Sequence, residues 1–223
     1  MPSIEVSEKN GVRYLHFGSE WVQGAMRIAR PWALELEYTR ELMLPLAMHA
    51  SPSWPATVLQ VGLGAASITR YLHRNRPRSR VTVVEILPEV VAAARQFFKL
   101  PEESAKLRIE IADGHEYMSM SKRRFDLIVL DGFDENAQAG MLETLPFYLN
   151  CRDRLAPKGM VAINVLSRRG GIAPVVARLK EAFAGVLVRP PCAAGNTVVI
   201  AAHEDGAHLL SLVPPIDPDR APL

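Results

Sequence analysis

Thr57-Val58-Leu59-Gln60-Val61-Gly62-Leu63-Gly64-Ala65-Ala66-Ser67 is the stretch that decides the fold class. It opens as a β-branched, largely apolar run, breaks sharply at the glycines, and gives way to helical spacing over Ala66 to Arg74. Gly62 and Gly64 let the backbone turn steeply and approach a ligand, and the helix behind them offers unpaired N–H groups at its first turn. A Gly-x-Gly turn also occurs merely to fit a strand against a helix, so the neighbouring segments carry the decision.

Downstream, short apolar runs recur at Val81 to Glu85, Leu107 to Ile111, Phe125 to Leu130, Met160 to Val165 and Thr197 to Ala202, with a weaker one at Val186 to Arg189. Strands apolar on both faces belong in a sheet covered by helices, and Pro88 to Phe98, Thr144 to Asp153 and Pro174 to Phe183 supply them. Pro88, Pro146 and Pro174 fit first-turn positions, where a missing N–H costs nothing. The alternation predicts an α/β protein with a Rossmann-like, seven-stranded methyltransferase-type sheet. In that sheet the strand ending at Glu85 should lie beside the strand ending at Val61.

Upstream, Val12 to Phe17 and Glu20 to Gln23 read as a short β-hairpin turning at Gly18-Ser19, and Ala33 to Ala50 as a helix kinked or broken at Pro45. At the far end, Val213 to Leu223 holds four prolines and reads as an extended tail. The expected organisation is a hairpin and lead-in helix over residues 1–50, a nucleoside-binding domain over 51–212 and a Pro-rich tail over 213–223.

The chemistry gathers at the carboxyl ends of the strands. Glu85 stands where a carboxylate accepts hydrogen bonds from ribose hydroxyls, or where it caps the helix starting at Pro88. Asp113-Gly114 suits an adenine edge, or an N-cap. Asp131-Gly132-Phe133-Asp134 puts two carboxylates at the end of the fourth strand, able to bind a cation, hold an ammonium or take a proton from an amine; a turn is the other use for Asp134. No G-x-x-x-x-G-K-[ST] run is present, so a nucleoside without a phosphate chain fits better than a nucleotide.

Val58-Leu59-Gln60-Val61-Gly62-Leu63-Gly64, Val83-Val84-Glu85-Ile86, Ala112-Asp113-Gly114 and Asp126 through Asp134, taken in order, resemble the spermidine synthase (polyamine aminopropyltransferase) family. Tyr14 to Gly18, Val22-Gln23 and Glu37-Tyr38-Thr39-Arg40-Glu41-Leu42 are similar to that family's N-terminal hairpin and Tyr-containing helix. The resemblance implies that Gln23 and Glu85 hold the donor's ribose side, with Gly62 and Gly64 forming the donor turn. It implies further that Asp113 and Gly114 meet the adenine, that Asp131 is the catalytic carboxylate, and that Tyr38 and Asp134 face the amine acceptor. The implied donor is decarboxylated S-adenosylmethionine. Ala65 stands where the family carries an Asp that clamps the donor's amino group, and Thr39 where it usually carries His. These departures keep S-adenosylmethionine as an alternative donor for a methyltransferase, and a non-catalytic nucleoside-binding module as a third reading.

Composition bounds the rest. Over 223 residues, 26 Lys and Arg against 24 Asp and Glu give a charge of +2, too balanced for a global nucleic-acid or membrane binder. Cys151 and Cys192 are too few for a disulfide framework, which suggests a reducing cytoplasm. The six histidines lack metal-ligand spacing, so no metal is expected. Arg70, Arg74, Arg76, Arg78 and Arg80 read as a solvated basic face. Trp21, Trp32 and Trp54 read as burying the hairpin or forming a homodimer contact.

Overall fold

The chain opens with three antiparallel strands where the sequence predicts two: β1 (Ile4–Lys9), β2 (Val12–Phe17) and β3 (Val22–Arg27). Asn10 and Gly11 join the first two with φ of 53° and 72°, the paired positive values of a tight hairpin turn. That Asn-Gly pair is the signal that gives β1 away. β3 is longer than Glu20 to Gln23 and displaced toward the C-terminus, because it pairs with β2 all the way from His16↔Val22 to Val12↔Arg27. A computed structural model describes residues 3–18, 21–134, 138–166 and 171–213; Ser19, Glu20 and the tail beyond Val213 lie outside them.

The lead-in is two short helices, α1 (Glu37–Leu42) and α2 (Pro45–Met48), rather than one from Ala33 to Ala50. Pro45 starts the second because it has no N–H to continue the first. The main sheet follows with β4 (Thr57–Val61), β5 (Arg80–Glu85), β6 (Leu107–Ile111), β7 (Phe125–Leu130), β8 (Leu155–Leu166), β9 (Gly185–Val188) and β10 (Asn196–Ala202). Between them run α3 (Ser67–Asn75), α4 (Pro88–Phe97), α5 (Gly114–Met120), α6 (Leu145–Asp153) and α7 (Ala173–Ala182). The sequence reading missed α5, which is short and polar; its Asp113 cap is the one local mark of it.

The sheet order is β6-β5-β4-β7-β8-β10-β9, with β10 antiparallel to both neighbours. β4 and β5 pair in parallel from Thr57↔Arg80 to Val61↔Val84, as the site requires. Strand order reverses at β4, so the chain leaves β4 and β7 toward opposite faces and a crevice opens above their carboxyl ends. Alternate residues feed two cores. Val58, Leu127, Val129 and Val198 pack toward α3, α4 and the lead-in helices, while Leu59, Ile128, Val161 and Val199 pack toward α5, α6 and α7. Among the described residues no helix is long and apolar enough to cross a membrane.

The basic stretch is not uniformly solvated. Arg70 is 5% exposed and ties three segments together: Nε donates to the Pro31 carbonyl at 2.6 Å, and Nη1 to the carbonyls of Phe98, at 2.6 Å, and Ala65. Burial without a carboxylate partner pulls its guanidinium down to about 10. Arg74 lies over the Trp32 ring at 3.9 Å, and Trp54 is buried in a stack on His49. Arg70→Met keeps the buried length but removes the donors from three carbonyls; we expect it to cost about 2–4 kcal/mol, read as a lower urea midpoint at unchanged m. An unchanged midpoint would show that these bonds do not hold the lead-in segment to α3.

Candidate active site

The glycine turn is latched to both neighbouring strands: Gly62 N–H donates to the Val84 carbonyl and Asp131 N–H to the Val61 carbonyl, each at 2.9 Å. Gly62 and Gly64 have φ of +90° and +50°, and a Cβ on Gly62 would lie 2.1 Å from the Asp131 carbonyl oxygen. Position 62 therefore requires glycine on both conformational and steric grounds. β3 closes over it from the other side, with the Gln23 carbonyl 3.3 Å from where a Gly64 Cβ would stand.

A cavity of about 770 Å³ opens over this crest. Gln23, Tyr38, Gly62, Gly64, Glu85, Asp113, Gly114, Asp131 and Asp134 all line it, so the fold brings every site residue expected from the sequence to one place. Glu37 joins them, giving five carboxylates, and no Lys or Arg lines the cavity among the described residues.

Each carboxylate has its own environment. Glu85 is 7% exposed; one oxygen accepts from Leu63 N–H at 2.8 Å and the other from Leu87 N–H at 2.9 Å, so it braces the glycine turn and the start of α4 while facing the cavity. Burial pushes its carboxyl up, and backbone N–H bonds from Leu63, Leu87, Ile86 and Gly64 pull it back. Asp113 is the N-cap of α5, accepting from Glu116 N–H at 2.9 Å. Asp134 accepts from Gln138 N–H at 2.8 Å.

Asp131 differs from all of these. It lines the cavity and accepts from Asn164 Nδ2 at 2.8 Å, and the Tyr38 hydroxyl acts on it from the same cavity. Desolvation pushes its carboxyl up to about 7; the Asn164 bond and the Tyr38 hydroxyl oppose the shift and the charge of Glu85 adds to it. A carboxyl in that range exchanges protons near neutrality, as a general base needs to. Tyr38 thus shares the electrostatic environment of the central carboxylate, and burial, with Asp131 nearby, raises its own hydroxyl well above the usual range.

Two departures noted in the sequence acquire a structural meaning. Ala65 is buried with its methyl against β3, where a Cβ on Gly24 would come within 2.6 Å, and it does not line the cavity. Thr39 is buried too, its hydroxyl donating to the Leu36 carbonyl at 2.6 Å. The sequence reading also missed Asn164, Asn196 and Leu142. Leu142 wedges onto the crest where Gly114 and Gly132 leave room, its methyls 3.3 and 2.8 Å from the Cβ positions those glycines lack. No short motif announces these three, since each arrives from a segment distant in the chain.

A glycine-turned crest at the switch point of a seven-stranded sheet with a reversed β10, roofed by a small antiparallel sheet, defines the methyltransferase-type Rossmann-like class. The spermine/spermidine synthase domain model matches residues 36–183. A polyamine aminopropyltransferase of Chromobacterium violaceum is 36% identical over 202 residues, covering 90% of this chain and 76% of that protein. The solved structure of a probable spermidine synthase from Corynebacterium glutamicum superposes with a TM-score of 0.76 at 24% identity, over 89% of this chain and 76% of that one. Human methyltransferase-like protein 13, solved in complex with SAH, shares the fold with a TM-score of 0.69 at 24% identity, over 82% and 95%. The chain belongs to the spermine/spermidine synthase family.

Proposed function

We propose that this protein is an aminopropyltransferase that moves a 3-aminopropyl group from decarboxylated S-adenosylmethionine to a small amine. The observation that carries the reading is the cavity's charge: five carboxylates and no Lys or Arg among its described residues suit a sulfonium donor and an ammonium acceptor, both cations. Family membership supports the same chemistry.

In this reading Asp131 takes a proton from the acceptor ammonium, and the freed nitrogen attacks the methylene beside the sulfonium. The new C–N bond forms as the C–S bond breaks, and its electron pair stays on sulfur, leaving methylthioadenosine. Tyr38 and Asn164 keep the Asp131 carboxylate oriented, Gln23 and Glu85 meet the ribose side, Asp113 and Gly114 meet the adenine, and Asp134 faces the acceptor. In-line placement of nitrogen and carbon supplies the rest of the acceleration, worth several kcal/mol or more in well-oriented systems.

S-adenosylmethionine as a methyl donor is the second reading, favoured by one observation: Ala65 places no carboxylate in the cavity at the position the family uses to hold the donor's amine. Incubation of the protein with each donor and a panel of amines distinguishes the two. Methylthioadenosine from the decarboxylated donor is the expected product; adenosylhomocysteine alone would replace the first reading by the second.

The acid limb of the pH profile follows from Asp131. Proton acceptance needs the ionised carboxylate, so kcat/KM for the amine should rise with unit slope through about pH 7 and level off above it. A bound cationic substrate favours ionisation, so the kcat limb should lie lower. A kcat/KM limb near the ordinary carboxylate range would remove Asp131 as the base.

A further inference from the structure

β10 runs against its neighbours, so its first residue, Asn196, stands at the crest where the parallel strands end. The turn before it fixes that residue: Gly195 has φ of +85°, Gly195 N–H donates to the Cys192 carbonyl at 2.9 Å and Cys192 N–H to the Asn196 carbonyl at 2.7 Å. Asn196 pairs with Leu166 in register, which brings its side chain to Asn164 on β8; its Nδ2 donates to Asn164 Oδ1 at 3.0 Å. Asn164 Nδ2 then donates to Asp131 Oδ1 at 2.8 Å. Both amides are buried, at 7% and 5% exposure.

The chain of bonds has one direction. An amide offers an oxygen on one side and a nitrogen on the other, so a donor from Asn196 on the Asn164 oxygen leaves the Asn164 nitrogen for Asp131. The flipped amide would set an oxygen against a carboxylate and leave the Asn196 N–H without an acceptor. We infer that Asn196 is a positioning residue that acts through Asn164 to orient Asp131 and hold it in its proton-accepting form. The inference rests on the reading of Asp131 as the base. The other titratable groups acting on Asp131 are Tyr38 from α1, which favours its ionised form, and Glu85 from β5, whose charge opposes its ionisation. Asn164 and Asn196 therefore work against both burial and Glu85.

The test compares Asn196→Ala, Asn164→Ala and the double variant in the pH dependence of kcat/KM, alongside a ¹³C NMR titration of the Asp131 carboxyl in the free protein. Asn196→Ala should displace the acid limb and the NMR midpoint upward together by about half a unit or more. It should lower kcat at pH 7 by about tenfold with KM for the amine within about twofold. Added to Asn164→Ala it should cost nothing further, because its path to Asp131 is already cut. Should Asn196→Ala fail to fold, Asn196→Asp keeps the shape, replaces the donor by an acceptor and should displace both midpoints further. Unmoved midpoints, or losses that add in the double variant, overturn the inference. If Asp131→Asn is inactive while the Asn196 variants titrate like wild type, the amide chain alone fails; if Asp131→Asn turns over normally, the base itself is misassigned.

Discussion

Asp131→Asn should lower turnover on the best amine by about 10²-fold or more while leaving donor affinity within several-fold. The amide keeps the size of the carboxyl and can still accept from Asn164, but it cannot take the acceptor's proton. Stability should move the other way. The folded carboxyl sits near 7 against an ordinary value of 3.8, so the fold favours its neutral form. Its stabilising contribution is complete below about pH 4 and is lost as pH rises toward 7, where the unfolded chain ionises freely and the folded one does so at a cost. The variant, which never ionises there, should therefore melt above wild type at pH 8, by a margin that shrinks toward pH 5. Loss of turnover with a gain in Tm marks a site kept for chemistry at the expense of stability. Wild-type turnover with a verified substrate would deprive the proposed mechanism of its base.

Gly62→Ala should be a severely damaging single-methyl change. The added carbon would stand 2.1 Å from the carbonyl oxygen of Asp131 and 2.7 Å from its carbonyl carbon, at a φ of +90° that an L-residue rarely adopts. The obstacle is backbone: the bond from Asp131 to Val61 keeps the ends of β4 and β7 from parting, and the bond from Gly62 to Val84 holds the turn to β5. A loss of about 4 kcal/mol or more is expected, together with loss of donor binding by calorimetry at temperatures where the variant remains folded. Gly11→Ala is the control. Gly11 also has positive φ, at +72°, but its Cβ would meet nothing within 4 Å, so only the conformational cost of about 1 kcal/mol applies. Equal effects at the two positions would mean that the close approach of the strand ends is not what demands glycine at 62.

Some of the molecule was legible because its cause is local. Apolar runs such as Val81 to Glu85 and Phe125 to Leu130 mark strands covered on both faces, and Pro88, Pro146 and Pro174 mark helix starts where the missing N–H is harmless. Alternation of the two periods then leaves few topologies, since parallel strands joined through helices cross over with one hand. The adjacency of β4 and β5, on which the placement of Glu85 depends, agrees with the tendency of consecutive strands to lie side by side. The same reasoning fell short at the N-terminus, where β1 is mostly exposed and its pattern is weak beside the Asn10-Gly11 turn.

Residue type and strand-end position told which carboxylates would gather at the crest: Glu85, Asp113, Asp131 and Asp134 each end a strand or start the turn after one, and all four line the cavity. What distinguishes them came from contacts across the fold. Asp113 and Asp134 are bound by N–H groups three and four residues away, whereas Asp131 is held by Asn164 from the next strand, with Tyr38 of the lead-in helix acting on it. Arg70, one arginine in a basic run, is buried because three carbonyls from separate segments converge on it. Period and turn chemistry act over a few residues, so the sequence displays them directly. Desolvation and the direction of an amide such as Asn164 depend on strand register and on what packs above the strand ends, and those are fixed only when the whole chain has closed.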